Sequence, residues 1–434
     1  MSTAFMTAQS HKYRQMRPLV SQLTRIVALV GIVACGGRDH SMTILQRIRV
    51  VPLASPTGPN SAEAFVAAAQ PHSVMLSWLE RQADSTTVAM RVARLDSAGT
   101  WSDPVDIIRA TDLFVNWADF PSVAQLADGR LLAHWLQNNS AAGKAKLAYD
   151  IRMAQSSDRG VTWTAIGSPH EPGIPTDHGF VSMLPRADST ADILFLSGAP
   201  PDAASTESHG APMRLAMSHW EKTGRLAPAA TLLDLRTCDC CQTAAALTLR
   251  GPVILYRDRS DTELRDISIR RFVDSAWTAP APLHADGWTF PGCPVNGPAI
   301  AAVGNTLAAV WFTGANDTPK VQLMFSSDAG ATFGTPVRID AGMPLGRVDV
   351  KLLSSGDALV TWIEQRTKDS VDVRARLVRQ NGTAEPSLTL ATASTGRATG
   401  FPRMALYGDG VVLAWNEPGK PGTVKLSRLS IAAR

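Results

Sequence analysis

One short turn occurs twice in this chain and limits what the rest can become. Ser156-Ser157-Asp158-Arg159-Gly160-Val161-Thr162-Trp163 returns as Ser326-Ser327-Asp328-Ala329-Gly330-Ala331-Thr332-Phe333. Both copies read Ser-x-Asp-x-Gly-x-Thr-aromatic between two apolar segments. The Asp carboxylate of such a turn accepts backbone N–H groups, the Gly takes a left-handed conformation, and the aromatic packs beneath the hairpin. The copies lie 170 residues apart, from position 156 to position 326. That distance is three steps of roughly 57 residues, so one structural unit is expected to repeat along the chain.

The period is present. An apolar strand ending in Trp recurs at Val74 to Trp78, Leu131 to Trp135, Leu307 to Trp311, Ala358 to Trp362 and Val411 to Trp415. Ile193 to Ser197 and Val253 to Arg257 occupy the same phase without the Trp. Most are preceded by an apolar strand and a tight turn such as Asp128-Gly129, Gly304-Asn305 or Gly356-Asp357, the signature of a hairpin. Seven hairpins predict an all-β chain: a β-propeller of four-stranded antiparallel blades, seven in number, with six as the alternative count. The predicted blades are 61–110, 118–168, 178–234, 241–285, 294–341 and 345–391. The last repeat offers only Arg403 to Tyr407, Val411 to Trp415 and Thr423 to Ile431, so the alternating segment Thr43 to Leu53 is expected to complete it. Closing the ring this way leaves no exposed sheet edge at the termini. Degenerate turns at Asp96 to Trp101 and Asp274 to Trp277 keep the same phase.

These turns resemble the Asp boxes, or BNR repeats, of the sialidase-like β-propellers. The resemblance implies the fold more than the chemistry, since in this superfamily the boxes lie on the face opposite the active site and also decorate binding proteins. The family's sialidases have six blades where seven are read here, so their catalytic positions do not carry over directly.

At the front, Lys12, Arg14, Arg17 and Arg25 precede the apolar run Ile26 to Ala34, which is too short to span a membrane as a mature helix. It reads as a secretory leader. The run Ile32-Val33-Ala34-Cys35-Gly36 resembles a bacterial lipobox, which implies lipidation at Cys35; an ordinary signal peptide with an incidental Cys is the alternative. The expected organisation is a leader over 1–34, a tether over 35–43 and one propeller over 44–434. Residues 1–34 hold four of the 42 Lys and Arg and none of the 38 Asp and Glu, which leaves 38 against 38. That balance gives no reason to expect a nucleic-acid partner. The chain is expected to be a monomer, exported to the periplasm or cell surface, touching the membrane only through its anchor.

In a propeller, the face opposite the repeated turns is built from the linkers between blades and the loops after second strands, and function is expected there at the mouth of the channel. Two linkers stand out. Thr237-Cys238-Asp239-Cys240-Cys241-Gln242-Thr243 enters the fourth blade, and Trp288 to Pro298, with Cys293 and Asn296, enters the fifth. Adjacent linkers share a face, so Cys238, Cys240, Cys241 and Cys293 are expected to converge. An exported protein sits where disulfides persist, and two disulfide staples are the first expectation, with three possible pairings. A soft metal ion held by thiolates, a strained Cys240–Cys241 bridge and free thiols are the alternatives. No other cofactor is expected.

Between those linkers, Tyr256 to Asp266 breaks the repeat by ending its strand in Arg257. Arg257 and Arg265, followed by Asp258 and Asp266, are candidates for capturing a carboxylate through the guanidinium fork, or for stiffening the loop by ion pairs. Arg347, Arg397 and Arg403 are further arginines able to point inward. The resemblance implies three arginines for a sugar carboxylate, an Asp acid/base and a Tyr nucleophile paired with a Glu. No Arg-Ile-Pro motif stands near the start of the domain, and Tyr149 is the candidate nucleophile that remains once Tyr256 and Tyr407 are placed between blades and on the turn face. Asn116, Trp117 and Asp119 enter the second blade, Asp177 and His178 the third, while Glu364 and Glu417 follow second strands. Carboxylate pairs among these suit acid/base work on a glycosidic bond, and Trp117 and Trp288 suit stacking on a sugar or filling gaps between blades. Three functional readings remain: a propeller acting on or binding glycans or another small anionic ligand, a non-catalytic binding platform, and a cysteine-based metal or redox site.

Overall fold

Each period of the repeat folds as an antiparallel meander of four strands, and seven such sheets close into a ring. The computed structural model describes residues 47–70, 72–139, 148–174, 176–198, 213–394, 396–419 and 421–432. The leader, the tether and Cys35 lie outside the described residues. Blades one to six span Ser61–Ala110, Ser122–Gly167, His178–Thr237, Ala244–Pro282, Ala299–Arg338 and Pro344–Ser394. Blade seven is built from both ends of the chain: Ile48–Leu53 pairs antiparallel with Thr423–Ile431, from Ile48 opposite Ile431 to Leu53 opposite Leu426. The strand predicted to close the ring does so.

The second strand of each blade is covered on both faces by its neighbours, so it is apolar on both faces. Val74, Leu76 and Trp78 of blade one pack with Val412 and Ala414 of blade seven, and Val310 of blade five packs with Val350 and Val360 of blade six. Trp78, Trp311 and Trp362 are fully buried. An indole N–H in such a place needs an acceptor: Trp78 donates to Glu80 (2.9 Å), Trp362 to Glu364 (2.7 Å) and Trp311 to Asp286 (2.6 Å). Three of the five tryptophans that mark the repeat thus have a carboxylate partner, whereas the buried Nε1 of Trp135 has no acceptor among the described residues.

The two full turns lie between third and fourth strands of blades two and five and carry matching bonds. The Thr162 N–H and hydroxyl donate to Asp158, and Thr332 does the same to Asp328. Gly160 and Gly330, at φ of 92° and 78°, donate to Ser156 and Ser326. Tyr256 lies between blades with its hydroxyl on Asp234 (2.5 Å), and Tyr407 reaches the turn face to donate to the Asp96 carbonyl (2.6 Å).

Candidate functional site at the channel mouth

The inner strands enter the channel through strained corners. Glu63, Phe180 and Arg347 have φ of 54°, 54° and 56°, each inside a register shift of the first strand of its blade. A non-glycine residue in this region costs about 1–3 kcal/mol and persists where the surroundings hold it. A ring of polar side chains does the holding, each reaching from one blade to the next. Asp119 accepts the Phe180 N–H (2.7 Å), Asn296 the Arg347 N–H (2.8 Å), Asp349 the Met404 N–H (2.7 Å) and Asn416 the Ala64 N–H (3.3 Å). Gln242 accepts from Gly297 (3.1 Å) and donates across the ring to the Ala118 carbonyl (2.5 Å). Asp119 and Asn296, candidates for substrate binding by sequence, thus serve as latches between blades.

Two acids in this ring keep their protons. Burial, reinforced by the nearby Asp177, pushes Asp119 up to about 8, and its Oδ2 is buried without a hydrogen-bond partner. That oxygen sits 1.8 Å from where a side chain on Gly179 would begin, so only glycine fits there. Burial likewise lifts Glu63 to about 7, and its Oε2 is buried and unpartnered.

A ladder of arginines and aromatic rings surmounts the ring. The Arg347 guanidinium lies 4.6 Å from the Trp117 ring centre and that of Arg397 5.8 Å from it. Trp117 stacks on Phe401 (5.9 Å), and Arg403 lies over both Phe401 (5.3 Å) and Phe120 (4.7 Å). Arg347 donates to the Gly396 and Gly400 carbonyls (3.3 and 3.2 Å). Its burial, together with the Arg397 charge, lowers it to about 10. Arg403 is also lowered, chiefly by burial, and its Nε has no acceptor. Among the described residues, none of the three arginines forms an ion pair. Below them the channel opens as a cavity of about 360 Å³ lined by Asp119, Phe120, Asp349, Lys351 and Arg403.

The neighbouring linkers use the same residue types differently. Arg257 is 2% exposed and gives its three nitrogens to the carbonyls of Asn296 (2.7 Å), Arg265 and Phe312 (2.7 Å), with its plane 4.7 Å from Trp288. It fastens blades four and five and offers no fork to a ligand. Arg265 is fully buried against Glu263 and Asp239. Asp258 caps Arg259 and Ser268, and Asp266 accepts the N–H groups of Gly287 and Trp288. The ion pairing thus runs to Glu263, in place of the Asp that follows each arginine. Trp288 is 7% exposed between Phe290, Phe312 and Arg257, a plug between blades.

The four cysteines do converge, as free thiols in place of the expected staples. Cys238 Sγ is 2.8 Å from Cys241 Sγ and 3.8 Å from Cys240 Sγ. Burial pushes Cys238 up to about 12. Burial acts on Cys241 in the same direction, but hydrogen bonds from Cys238 and Cys240 and the Arg257 charge together bring it well below the usual thiol range.

Two other candidates sit apart from the arginine ladder. Tyr149 is 4% exposed and stacked on Phe114 at 4.1 Å. Burial, then the charges of Asp119 and Asp177, raise it well above its usual range, the opposite of what a phenolate nucleophile requires. His178 stacks on His170 at 3.8 Å, with both ring nitrogens buried and unpartnered, and burial drives it down to about 3. His170, which sequence reasoning passed over, donates to the Glu171 carbonyl (2.9 Å) and accepts from Ile151 (3.0 Å). Glu63, Phe120 and Phe401 were also passed over; the lone acid in the apolar strand Ser61–Ala69 was the available signal for the first.

Fold and site define a seven-bladed β-propeller with a polar, cation-rich channel mouth. Neither a family model nor a curated protein matches the sequence. Solved structures do. A protein of unknown function from Dyadobacter fermentans superposes with a TM-score of 0.53 at 13% identity, covering 89% of this chain and all of its own (100%). An ulvan lyase of a polysaccharide lyase family, bound to a sulfated glucuronate–rhamnose unit, gives 0.52 at 11% identity over 86% of this chain and 92% of its own. A sialidase of the Hadza microbiota gives 0.42 at 14% identity over 70% and 63%. At such identities the likeness to the first two, with TM-scores above 0.5, is one of fold.

Proposed function

We propose that this protein is a glycan-directed propeller that recognises an acidic sugar at the mouth of its central channel. The observation that carries the reading is the group Arg347, Arg397 and Arg403: three guanidinium groups on one aromatic ladder, none of them in an ion pair among the described residues, although Asp349 lines the cavity beside Arg403. Like charges gathered this way repel, and a bound carboxylate or sulfate relieves the repulsion through charge-assisted, often bidentate hydrogen bonds. The ulvan lyase neighbour, whose bound unit contains glucuronate, is consistent with an acidic sugar as ligand. The test is calorimetric titration with uronate-bearing oligosaccharides and their carboxyl-reduced counterparts. Preference for the acidic form, lost in Arg403→Ala with the fold intact, supports the reading. Equal binding of both forms, or of neither, sinks it.

A second reading, turnover, is favoured by Asp119 and Glu63. Carboxyl groups that hold protons near neutral pH are suited to general-acid work on a leaving oxygen. Its test is release of reducing ends or unsaturated products from acidic polysaccharides by the wild-type protein. Export and lipid anchoring at Cys35 complete the proposal, supported by the basic residues and the apolar run that precede that cysteine.

A further inference from the structure

The linkers into blades four and five bring five metal-ligating groups together. The Sγ atoms of Cys238, Cys240 and Cys241 lie within 4.8 Å of one another, and Cys240 Sγ belongs equally to a second triad with Cys293 Sγ and a carboxylate oxygen of Asp239. Cys293 Sγ is 3.7 Å from Asp239 Oδ2. The sulfurs thus share neighbours, with Cys240 as the common member. Cys238 and Cys241 are buried, Cys240 is half-buried and Cys293 is exposed, so the group is closed on the protein side and open to solvent on the other. An ion has both a floor and an entry path.

The linkers are held from outside the group. The Cys238 N–H donates to the Arg257 carbonyl (3.0 Å), and Gln242 ties the end of the first linker to Gly297 in the second. Asn296 offers its N–H to Cys241 Sγ, the kind of outer hydrogen bond that orients a thiolate ligand.

Charge separates a metal site from a pair of disulfides. Arg265 is fully buried but has its counter-charges in Glu263 and in Asp239, 3.7 Å from its Nη1. Arg257 is buried on the other side and, among the described residues, meets carbonyl oxygens and the Trp288 ring with no carboxylate in an ion pair. Buried cations need a nearby negative charge. Two disulfides supply none. Four thiolates around a divalent ion carry a net charge of minus two by formal count, and three around a monovalent ion carry the same.

We propose that Cys238, Cys240, Cys241 and Cys293 bind one thiophilic d10 cation, Zn(II) or Cu(I), as thiolates. Metal–sulfur bonds of about 2.3 Å place the sulfurs of a tetrahedron about 3.8 Å apart. Cys238 and Cys240 already have that separation, 3.8 Å, and Cys238 and Cys241, at 2.8 Å, open by about 1 Å to admit the ion. Each ligating thiol releases its proton to solvent, so affinity rises with pH.

The test uses the full chain, isolated without chelator or reductant. Metal content is measured by elemental analysis, and thiols are counted in denaturant before and after chelation. Reduced, metal-free protein is then titrated with Zn(II) and, under anaerobic conditions, with Cu(I). The expected result is one ion per chain and four thiols that become titratable on chelation, Cys35 being counted separately because it adds a fifth thiol wherever it is not lipidated. Affinity should fall at least 100-fold in Cys240→Ser, and clearly in Cys293→Ser. The exposed position of Cys293 makes its variant the safer one to fold, and an unchanged unfolding midpoint of the metal-free form confirms that it has. The metal in the isolated protein, and the tighter of the two titrations, assigns the ion. Protein isolated with no titratable thiols, or reduced protein that binds neither ion, overturns the proposal.

Discussion

Two arginine–tryptophan stacks lie on the same face of the propeller and look alike in isolation. Arg257 lies 4.7 Å from the centre of Trp288, and Arg347 lies 4.6 Å from that of Trp117. They differ in what the rest of the guanidinium meets. Every nitrogen of Arg257 finds a backbone carbonyl, so the stack is complete and fastens two blades. Arg347 reaches two carbonyls through a single nitrogen, stands on a strained backbone at φ 56°, and has the exposed Arg397 beside it. The first stack is satisfied by the protein, and the second is where the proposed acidic ligand would bind. An arginine's usefulness to a ligand is therefore set by its remaining donors, and burial or stacking alone does not reveal it.

The sharpest way to break this comparison is to remove the complete stack. Arg257→Ala strands three buried carbonyls and removes a cation–π contact. At about 1–3 kcal/mol for each orphaned acceptor, the loss of stability should reach about 4 kcal/mol or more. Denaturant unfolding measures it, and a loss below about 1 kcal/mol would show that the carbonyls find water and that the stack is not a fastener.

Next in size is a pH effect on the ring beneath the second stack. Asp119 holds its proton up to about 8 in the folded chain against a usual value near 3.8. The folded state therefore binds more protons than the unfolded state between those limits, and stability declines as pH rises from about 4 towards 8. Glu63, held to about 7, adds a decline of the same sign. Asp119→Asn keeps an acceptor for the Phe180 N–H and should flatten the curve, raising stability at pH 8 by roughly 2–4 kcal/mol relative to wild type. A variant with the wild-type slope between pH 5 and 8 would remove Asp119 as its cause.

Substitutions at the second stack should weaken the ligand and, at the exposed Arg397, leave stability nearly untouched. Arg397→Ala, at an exposed position, is expected to reduce affinity for an acidic oligosaccharide about fivefold to tenfold with no shift in unfolding midpoint. Arg347→Lys keeps the charge but loses the fork and should cost about tenfold. If instead affinity holds and the midpoint falls, the two stacks are both fasteners.

The smallest effect belongs to the opposite face. Bonds from Thr162 hold Asp158, and bonds from Thr332 hold Asp328, at about 2. The stability they add is present above about 4 and is lost as pH falls through about 2. Replacing both by Asn should flatten only that acid limb, followed by circular dichroism, while ligand affinity stays unchanged.

Much of this was legible in the chain. The period of roughly 57 residues, the Trp closing five of the seven second strands and the three-stranded last repeat fixed the blades and the closure by Ile48–Leu53. These are local signals, because a hairpin is specified by its own turn and alternation. The meeting of the cysteines was also legible, since consecutive linkers share a face. Arg257 is the place where sequence and structure part: the break in the repeat suggests either a ligand anchor or an ion pair that stiffens the loop, and the guanidinium instead bonds three backbone carbonyls. Its acceptors, Asn296 and Phe312, lie in another blade and are invisible to a local pattern.

What the sequence determined by itself is the ring: seven antiparallel blades, their phase, the turn face and the side on which the linkers gather. What only the tertiary structure decided is which charged groups are satisfied within the protein. Asp119 holding Phe180, Asn296 holding Arg347, and Gly396 and Gly400 receiving Arg347 are all contacts between residues some 50 to 60 positions apart, one blade from the next. The repeat brings such positions together, but side-chain partners there depend on individual corners of the backbone, where a single strained φ redirects a donor.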